Sequence, residues 1–326
     1  MKKLVSIILP VYNNEKSIGD TIESVISQKY QNWELIIIDD ASTDNSSEVI
    51  NKFAGEDKRI SVLQNEVNKG PAIARNRGLD KAKGEYIGFI DADDIYEPVF
   101  LEKMLSTAKN YKAEIVWCQY RIRASKDEVG MEIKNDVRKN KIFENKDIIS
   151  SFVSNVPGIG SIWNKIYSKE FIEKNNLRLN PDRIRAEDWE FNLIAFTKVQ
   201  RVVVIEDYLY NYIHQNTSSI MTSFRIKDYE MMIRSIDLLI EINREFDLNK
   251  EYREIVTNIG PNILEFFYRG FKGSLYRQIL TLLKREETKK LLKNLDSSIL
   301  PPTYKILFIL LKRGFYYLAY MFVRIR

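Results

Sequence analysis

The first 95 residues alternate short apolar segments with segments of helical periodicity, and no other feature of the sequence constrains the fold as strongly. The predicted strands are residues 5–11, 33–38, 60–63 and 86–90, and helical patterns lie between them at 15–28, 44–53 and 71–82. The strand segments are continuously apolar, as in strands buried on both faces. With short connections, this alternation predicts an α/β fold built on a doubly wound, mostly parallel sheet.

Polar residues follow the predicted strands at their carboxyl ends. The first strand ends in Pro10-Val11-Tyr12, the second in Asp39-Asp40 and the fourth in Asp91-Ala92-Asp93-Asp94. In sheets of this kind, ligands bind beyond the carboxyl ends of the strands. Because those ends meet at one edge of a parallel sheet, we expect the three segments to line one ligand-binding rim.

The fourth strand ends in three carboxylates, Asp91, Asp93 and Asp94, within four positions. Close carboxylates repel one another unless a cation or hydrogen-bond donors offset their charge. Carboxylate oxygens are also the ligands that a hard divalent cation prefers. The alternative is a solvated turn in which the aspartates cap a helix, and this stretch alone does not decide between the two.

The residue content argues against several other kinds of site. One cysteine, Cys118, excludes an internal disulfide framework, and one histidine, His214, excludes a multi-histidine metal site within one chain. No G-x-G-x-x-G follows the first strand, and no G-x-x-x-x-G-K-[ST] occurs, which argues against a dinucleotide-binding dehydrogenase and a P-loop NTPase. A nucleotide at the rim would therefore need a metal on the aspartates, helped by Arg75, although Arg75 could instead be a solvated helix charge.

Four motifs in order and at compatible spacing resemble those of the family-two glycosyltransferases, which have the GT-A fold. They are residues 6–13, 36–44, 68–71 with 74–76, and 89–94. The resemblance covers about residues 4–215. It implies an inverting transferase that uses a nucleotide-diphosphate sugar, which we take to be UDP-linked, together with Mn²⁺ or Mg²⁺.

The resemblance also implies a division of the chain and the roles of its rim residues. We expect a GT-A domain at 1–220, with a nucleotide-binding half at 1–95 and an acceptor half at 96–220, then a helical extension at 221–300 and a tail helix at 301–326. Pro10, Val11, Tyr12 and Asp40 would contact the base and ribose, whereas Asp39 would support the strand end. Arg75 would face the nucleotide. Asp91, Ala92, Asp93 and Asp94 would bridge the ribose and the metal-bound diphosphate, with metal ligands in the order Asp93, Asp94, Asp91.

A second acidic pair, Glu187-Asp188, precedes a helical pattern that carries Trp189 and Phe191. Acids in the first turn of a helix are favoured by the helix dipole, so simple capping explains them without any catalytic role. The resemblance implies instead that Asp188 is the base that accepts the proton of the acceptor hydroxyl and that Glu187 orients it or holds the acceptor. A neighbouring carboxylate raises the pKa of its partner, which makes that partner a better base.

His214 and Ser218 follow a tyrosine-rich segment. A lone histidine is more often structural than catalytic. By resemblance, however, the two side chains would contact the phosphates.

The C-terminal third is helical in pattern and basic in charge. Residues 269–326 carry 13 Lys/Arg against three Asp/Glu, whereas the whole chain has a net charge of +5. The apolar tail at 304–325 is interrupted by Lys312-Arg313-Gly314, which argues against a spanning helix and favours a basic helix lying on a membrane surface. The alternative is a helix that packs on the protein or on another subunit, as in a homo-oligomer.

The sequence therefore predicts an inverting glycosyltransferase acting on a glycan or lipid-linked acceptor, in surface polysaccharide synthesis. We expect it in the cytoplasm, with peripheral attachment to the inner face of the plasma membrane left open, and we expect no nucleic-acid partner. The segment after Met1 is too short for a signal peptide. Two alternatives are a nucleotidyltransferase, which would need a glycine-rich basic loop after the first strand, and a catalytically silent scaffold that assembles with active partners.

Overall fold

The computed structural model describes residues 3–133, 142–143, 145–153, 158–183, 186–213, 226–248, 264–272, 276–296, 298 and 300–325. The chain divides into two compact units, Met1–Asn216 and Thr217–Arg326.

The first unit alternates strands and helices. It begins with β1 (Val5–Val11), α1 (Ile18–Ile26), β2 (Trp33–Asp39), α2 (Ser46–Glu56), β3 (Ile60–Gln64), α3 (Pro71–Lys81), β4 (Tyr86–Phe89), β5 (Ile95–Tyr96) and α4 (Phe100–Tyr111). It continues with β6 (Ile115–Arg123), β7 (Met131–Ile133), β8 (Ile142–Phe143), α5 (Asn145–Val153), β9 (Lys165–Ser168), α6 (Lys169–Lys174), α7 (Glu187–Lys198) and β10 (Val202–Ile213).

The strands form one mixed sheet in the order β3-β2-β1-β4-β9-β6-β10-β5, with β7 beside β6 and β8 beside β10. Strands β3, β2, β1 and β4 are parallel, which confirms the predicted doubly wound α/β fold. Strand β9 runs antiparallel to both of its neighbours, β4 and β6, while β10 is parallel to β6. The carboxyl ends of β1, β2 and β4 therefore meet at one edge, as the sequence predicted.

Close packing fixes α3 against the centre of this sheet. Pro71 occupies the first turn of α3, where its missing N–H costs no hydrogen bond, and Gly70 before it has φ +86°. A Cβ on Gly78 would lie 2.5 Å from Cγ2 of Ile8 in β1, so only glycine lets the helix approach this closely. This contact determines where the side chains of α3 reach the rim.

Strands β10 and β5 are two features of the sheet that the sequence pattern does not predict. The apolar patterns at 202–205 and 208–212 indicate two short strands, but β10 is one strand whose register shifts between Val204 and Tyr208 and again before Tyr210. The first register shift accommodates the charged residues Glu206 and Asp207 as a bulge, so the strand continues past them. The two-residue strand β5 was not predicted, because so short a segment has no readable periodicity.

The second unit is helical in its described part. Its helices are α8 (Ile226–Glu245), α9 (264–272), α10 (Tyr276–Leu283), α11 (Glu286–Asn294), α12 (Pro302–Lys312) and α13 (Tyr316–Ile325). They enclose a second hydrophobic core to which α9 contributes Phe266 and Phe271, α11 contributes Leu291, and the tail contributes Leu311 and Val323.

The tail is two helices rather than the single helix that the sequence predicted. Helix α12 ends at Lys312, and Gly314 follows with φ +77°, a left-handed conformation that glycine adopts without steric cost. Both helices bury one side in the same core. Within the described ranges, no helix is both long and apolar enough to cross a bilayer.

Candidate functional site

The loops that follow β1 and β2 are hydrogen-bonded to each other at the rim. The Asn13 amide N–H donates to Ser42 Oγ (3.1 Å), and the Thr43 N–H donates back to Asn13 Oδ1 (2.8 Å). The Asp40 N–H donates to the carbonyl of Val11 (2.8 Å). Val11 is buried, whereas the Tyr12 side chain is 45% exposed, so its ring is available to a ligand.

The two aspartates that end β2 both have their carboxylates engaged by protein donors. Asp39 accepts hydrogen bonds from the Ser42 N–H (3.0 Å) and from Ser47 Oγ. Asp40, which is buried, accepts from the N–H groups of Lys69 (3.0 Å) and Gly70 (2.7 Å). Asp40 therefore holds the loop that leads into α3, and its predicted contact with base and ribose stays a prediction.

Asp94 points into the protein rather than onto the rim. Its carboxylate is fully buried and accepts from Tyr210 Oη (2.6 Å) and from the Ile213 N–H (2.8 Å), both in β10. Burial, followed by the charges of Asp93 and Asp91, raises the pKa of Asp94 well above its ordinary value. This aspartate ties the end of β4 to the end of β10, which the sequence did not reveal.

Asp91 and Asp93 are the two partly exposed carboxylates of the motif. Burial, followed by the negative charge of Asp91, raises the pKa of Asp93 to about 6. Two carboxylates that disfavour each other's charge suit a divalent cation, which would take the rest of its oxygen ligands from phosphate and water. In the described part of the chain there is no group of three or more acidic, histidine or cysteine side chains placed to hold a metal.

Arg75 links this acidic rim to the start of α7. Its Nη2 lies 2.6 Å from Asp91 Oδ1, and its Nη1 lies 2.7 Å from Glu187 Oε1. The side chain is buried. Burial by itself would lower the pKa of Arg75, but the charges of Asp91, Glu187 and Asp188 outweigh it and raise this pKa above its ordinary value. Both terminal nitrogens thus contact protein carboxylates, whereas the resemblance implies that Arg75 faces the nucleotide.

Asp188 lies in the first turn of α7, directly after Glu187. The residue before the helix, Ala186, has φ +56°, and the Trp189 N–H donates to Asp188 Oδ1 (2.8 Å). Burial, followed by the charge of Glu187, raises the pKa of Asp188 to about 7, against the opposing effect of Arg75. A carboxyl group with this pKa can take up a proton near neutral pH, as a general base must.

The turn at residues 158–161 packs against α7 and is held by a buried lysine that the sequence did not single out. Lys165 Nζ donates to the carbonyls of Gly158 (2.7 Å) and Ser161 (2.5 Å) and to Asn164 Oδ1 (2.9 Å). On its other side, Asn192 of α7 donates to the carbonyl of Gly160 (2.7 Å). Two glycines, Gly158 and Gly160, lie in this turn, and glycine permits close approach of the backbone, whereas no sequence pattern points to the lysine.

His214 and Ser218, the predicted phosphate contacts, lie outside the described residues. Their predicted roles therefore stay predictions.

The sheet described above has the GT-A fold, which defines a class of glycosyltransferases. The chain belongs to glycosyl transferase family 2, whose family model matches residues 6–174. Both findings confirm the resemblance seen in the four sequence motifs.

Two glycosyltransferases of known sequence are similar to this chain. The uncharacterized glycosyltransferase EpsJ of Bacillus subtilis (strain 168) is 31% identical over 222 residues, which are 68% of this chain and 63% of EpsJ. WfgD of Escherichia coli, named as a UDP-Glc:alpha-D-GlcNAc-diphosphoundecaprenol beta-1,3-glucosyltransferase, is 39% identical over 143 residues, which are 44% of this chain and 56% of WfgD. The match thus spans less than two thirds of either relative.

Among solved structures, S. aureus TarS 1-349 in complex with UDP-GlcNAc superposes with a TM-score of 0.65 at 19% identity. The superposition covers 99% of this chain and 90% of the TarS chain. At this level of identity it establishes the fold of the chain.

Proposed function

We propose that this protein is an inverting glycosyltransferase that moves a sugar from a UDP-linked donor to a hydroxyl group of a glycan or lipid-linked acceptor. The observation that carries the proposal is the bridge through Arg75, which joins Asp91 at the donor rim to Glu187 beside the candidate base Asp188. Leaving-group stabilisation and nucleophile activation are the two functions that a displacement at the anomeric carbon requires. The bridge supports the proposal because it connects Asp91, a candidate for leaving-group stabilisation, to the residue directly before Asp188, the candidate for nucleophile activation.

The donor would bind across the carboxyl ends of β1, β2 and β4. The exposed ring of Tyr12, with Pro10, Val11 and the loop held by Asp40, would contact the base and ribose, and Ala92 lies in the turn beside Asp93. S. aureus TarS 1-349 was solved in complex with UDP and with UDP-GlcNAc, which supports a uridine nucleotide. That support rests on shared fold and family.

Asp93 and Asp91 would hold a divalent cation, Mn²⁺ or Mg²⁺, on the donor diphosphate. A mannosyltransferase of similar fold, PcManGT from Pyrobaculum calidifontis, was solved in complex with GDP-Man and Mn²⁺, which supports a divalent cation here. When bound, the cation would neutralise charge on the departing diphosphate. Asp94 is a poorer candidate ligand than the sequence suggested, because Tyr210 and Ile213 already occupy its carboxylate.

Asp188 would accept the proton of the acceptor hydroxyl. As that proton leaves, the acceptor oxygen forms a bond to the anomeric carbon while the bond from this carbon to the diphosphate oxygen breaks. The electron pair of the broken bond stays on the nucleotide diphosphate, and attack from the opposite side inverts the anomeric centre. Glu187, held by Arg75, would keep the start of α7 in place during this step.

The lipid-linked acceptor is supported by the name of WfgD, which acts on a sugar attached to diphosphoundecaprenol. Surface polysaccharide synthesis in the cytoplasm is the setting that suits such an acceptor.

Thermal stabilisation by a panel of nucleotide sugars, measured with and without Mn²⁺, tests the proposal. We expect one nucleotide series to raise the melting temperature when Mn²⁺ is present, and product formation from that donor with a lipid-linked sugar acceptor. If no nucleotide sugar stabilises the protein, the enzyme proposal is wrong and a scaffold becomes the better explanation.

A further inference from the structure

The outward side of the last two helices exposes an unusual concentration of apolar side chains. Among the described residues, twelve large hydrophobic side chains are exposed, and seven of them lie in α12, α13 or the turn between them. We name these seven the tail face: Ile306, Ile309, Phe315, Tyr317, Leu318, Met321 and Ile325. Large apolar groups clustered in this way on a protein surface indicate an interaction site.

The tail face belongs to a folded element with a buried opposite side. In α12, Ile306 and Ile309 are three positions apart and share one side of the helix, whereas Leu307 and Leu311 are buried on the other. In α13, Tyr317, Met321 and Ile325 recur at four-residue spacing and are exposed, while Ala319 and Val323 are buried. The buried sides of both helices therefore complete the core, and the apolar side chains of the tail face are not needed for it.

Positive charge accompanies the tail face. Lys305, Lys312, Arg313 and Arg324 lie in the same two helices or their connecting turn, and the sequence has no Asp or Glu between residues 297 and 326. Lys312 Nζ and Arg324 Nη1 donate to the backbone carbonyls of Lys293 (3.3 Å) and Lys272 (2.9 Å). Such carbonyl contacts orient the cations without cancelling their charge.

We propose that the tail face binds the surface of an anionic lipid bilayer. Exposed aliphatic and tyrosine side chains beside Lys and Arg suit the boundary between headgroups and acyl chains, and anionic headgroups complement the positive charge of these four side chains. This partner goes beyond the proposed transferase activity and does not depend on it. A second copy of the chain is disfavoured as the occupant, because two such faces would bring eight like charges together without an acid from residues 297–326.

Co-sedimentation of the full-length protein with vesicles tests the inference. We expect binding to vesicles of phosphatidylcholine with phosphatidylglycerol to exceed binding to phosphatidylcholine alone at least tenfold, and to weaken in 0.5 M salt because screening removes the charge attraction. The variant I309Q/L318Q/I325Q should lose at least tenfold in binding. The matched control V67Q/V129Q removes exposed apolar side chains from the first unit and should bind as the parent does.

A spectroscopic measurement keeps the inference testable if the triple variant is unstable. Cys118 is the sole cysteine and is fully buried, so Leu318→Cys can be labelled selectively with a polarity-sensitive fluorophore. We expect its emission to shift to the blue on anionic vesicles, with no shift from the same label at Val67→Cys. Undiminished vesicle binding by the triple variant would overturn the inference. So would absence of vesicle binding together with a dimer, seen by analytical ultracentrifugation, that the triple variant abolishes.

Discussion

Arg75 and Glu187 are 112 positions apart in the chain, yet Nη1 of the arginine lies 2.7 Å from Oε1 of the glutamate in a buried ion pair. The other terminal nitrogen of Arg75 pairs with Asp91. One cation from α3 therefore fixes the distance between the acidic end of β4 and the start of α7.

Replacing Arg75 by methionine should damage stability and activity together. It leaves Asp91 and Glu187 without their partner, and breaking a buried ion pair in this way costs about 3–5 kcal/mol. Urea denaturation should show a loss of about that size in the free energy of unfolding. Without Arg75 the start of α7 should shift and displace Asp188 from the acceptor hydroxyl, which should also lower kcat about a hundredfold. The control is Lys81→Met, at an exposed position of the same helix, which should change the free energy of unfolding by less than about 1 kcal/mol.

Asp188→Asn should nearly abolish transfer while leaving donor binding almost unchanged. The amide cannot accept the acceptor proton, and general base catalysis typically contributes about 10²- to 10⁴-fold in rate. We expect a fall of that size in kcat, with the same thermal stabilisation by the donor and Mn²⁺ as in the parent. Asp182→Asn, an exposed acid before α7, is the matched control. Loss of donor binding in the Asp188 variant would show that this residue has the wrong assignment.

The rate should depend on pH through the raised pKa of Asp188, which is about 7. The base acts in its deprotonated form, so kcat/KM should fall tenfold per pH unit below about 7 and level off above it. A steady-state profile from pH 5.5 to 8.5 measures this directly. In Asp188→Asn the residual rate should lose the inflection; an unchanged inflection would assign it to another group.

Asp93→Asn should weaken donor binding itself. The amide supplies one neutral oxygen where the carboxylate supplied charge, and hard cations depend on ligand charge for their affinity. We expect the Mn²⁺-dependent part of the donor-induced rise in melting temperature to disappear. Asp182→Asn should retain it. Full Mn²⁺ dependence in the Asp93 variant would exclude this side chain from the metal site.

Tyr210→Phe should destabilise the protein and leave metal dependence intact. The change removes the hydroxyl that donates to buried Asp94 Oδ2 at 2.6 Å, and an unmatched buried polar group costs about 1–3 kcal/mol. Chemical denaturation should show that loss, while Mn²⁺ still enhances donor stabilisation. Tyr111→Phe, at an exposed position, should be neutral. If Tyr210→Phe removes the Mn²⁺ effect instead, the hydroxyl positions a cation ligand, through Asp94 or through the Asp91 N–H that donates to it (3.4 Å).

Local patterns predicted much of the fold. The apolar segments that became β1, β2 and β4 lie within a residue of their predicted bounds, because a strand buried on both faces must be apolar throughout. The convergence of strand ends on one rim follows from parallel pairing alone. The antiparallel placement of β9 between β4 and β6 could not be predicted, because a four-residue strand does not specify its neighbours.

The sequence by itself determined the α/β class, the family and which rim residues have side chains able to bind a ligand or accept a proton. Those properties depend on residue type and on spacing of a few positions, which the chain carries locally. Only the tertiary structure decided that Asp94 turns inward to Tyr210, that Arg75 bridges Asp91 and Glu187, and that the tail is two helices with one exposed apolar side. Each of these depends on which distant surfaces pack together, because packing decides whether a polar side chain meets a protein partner or stays open to a ligand.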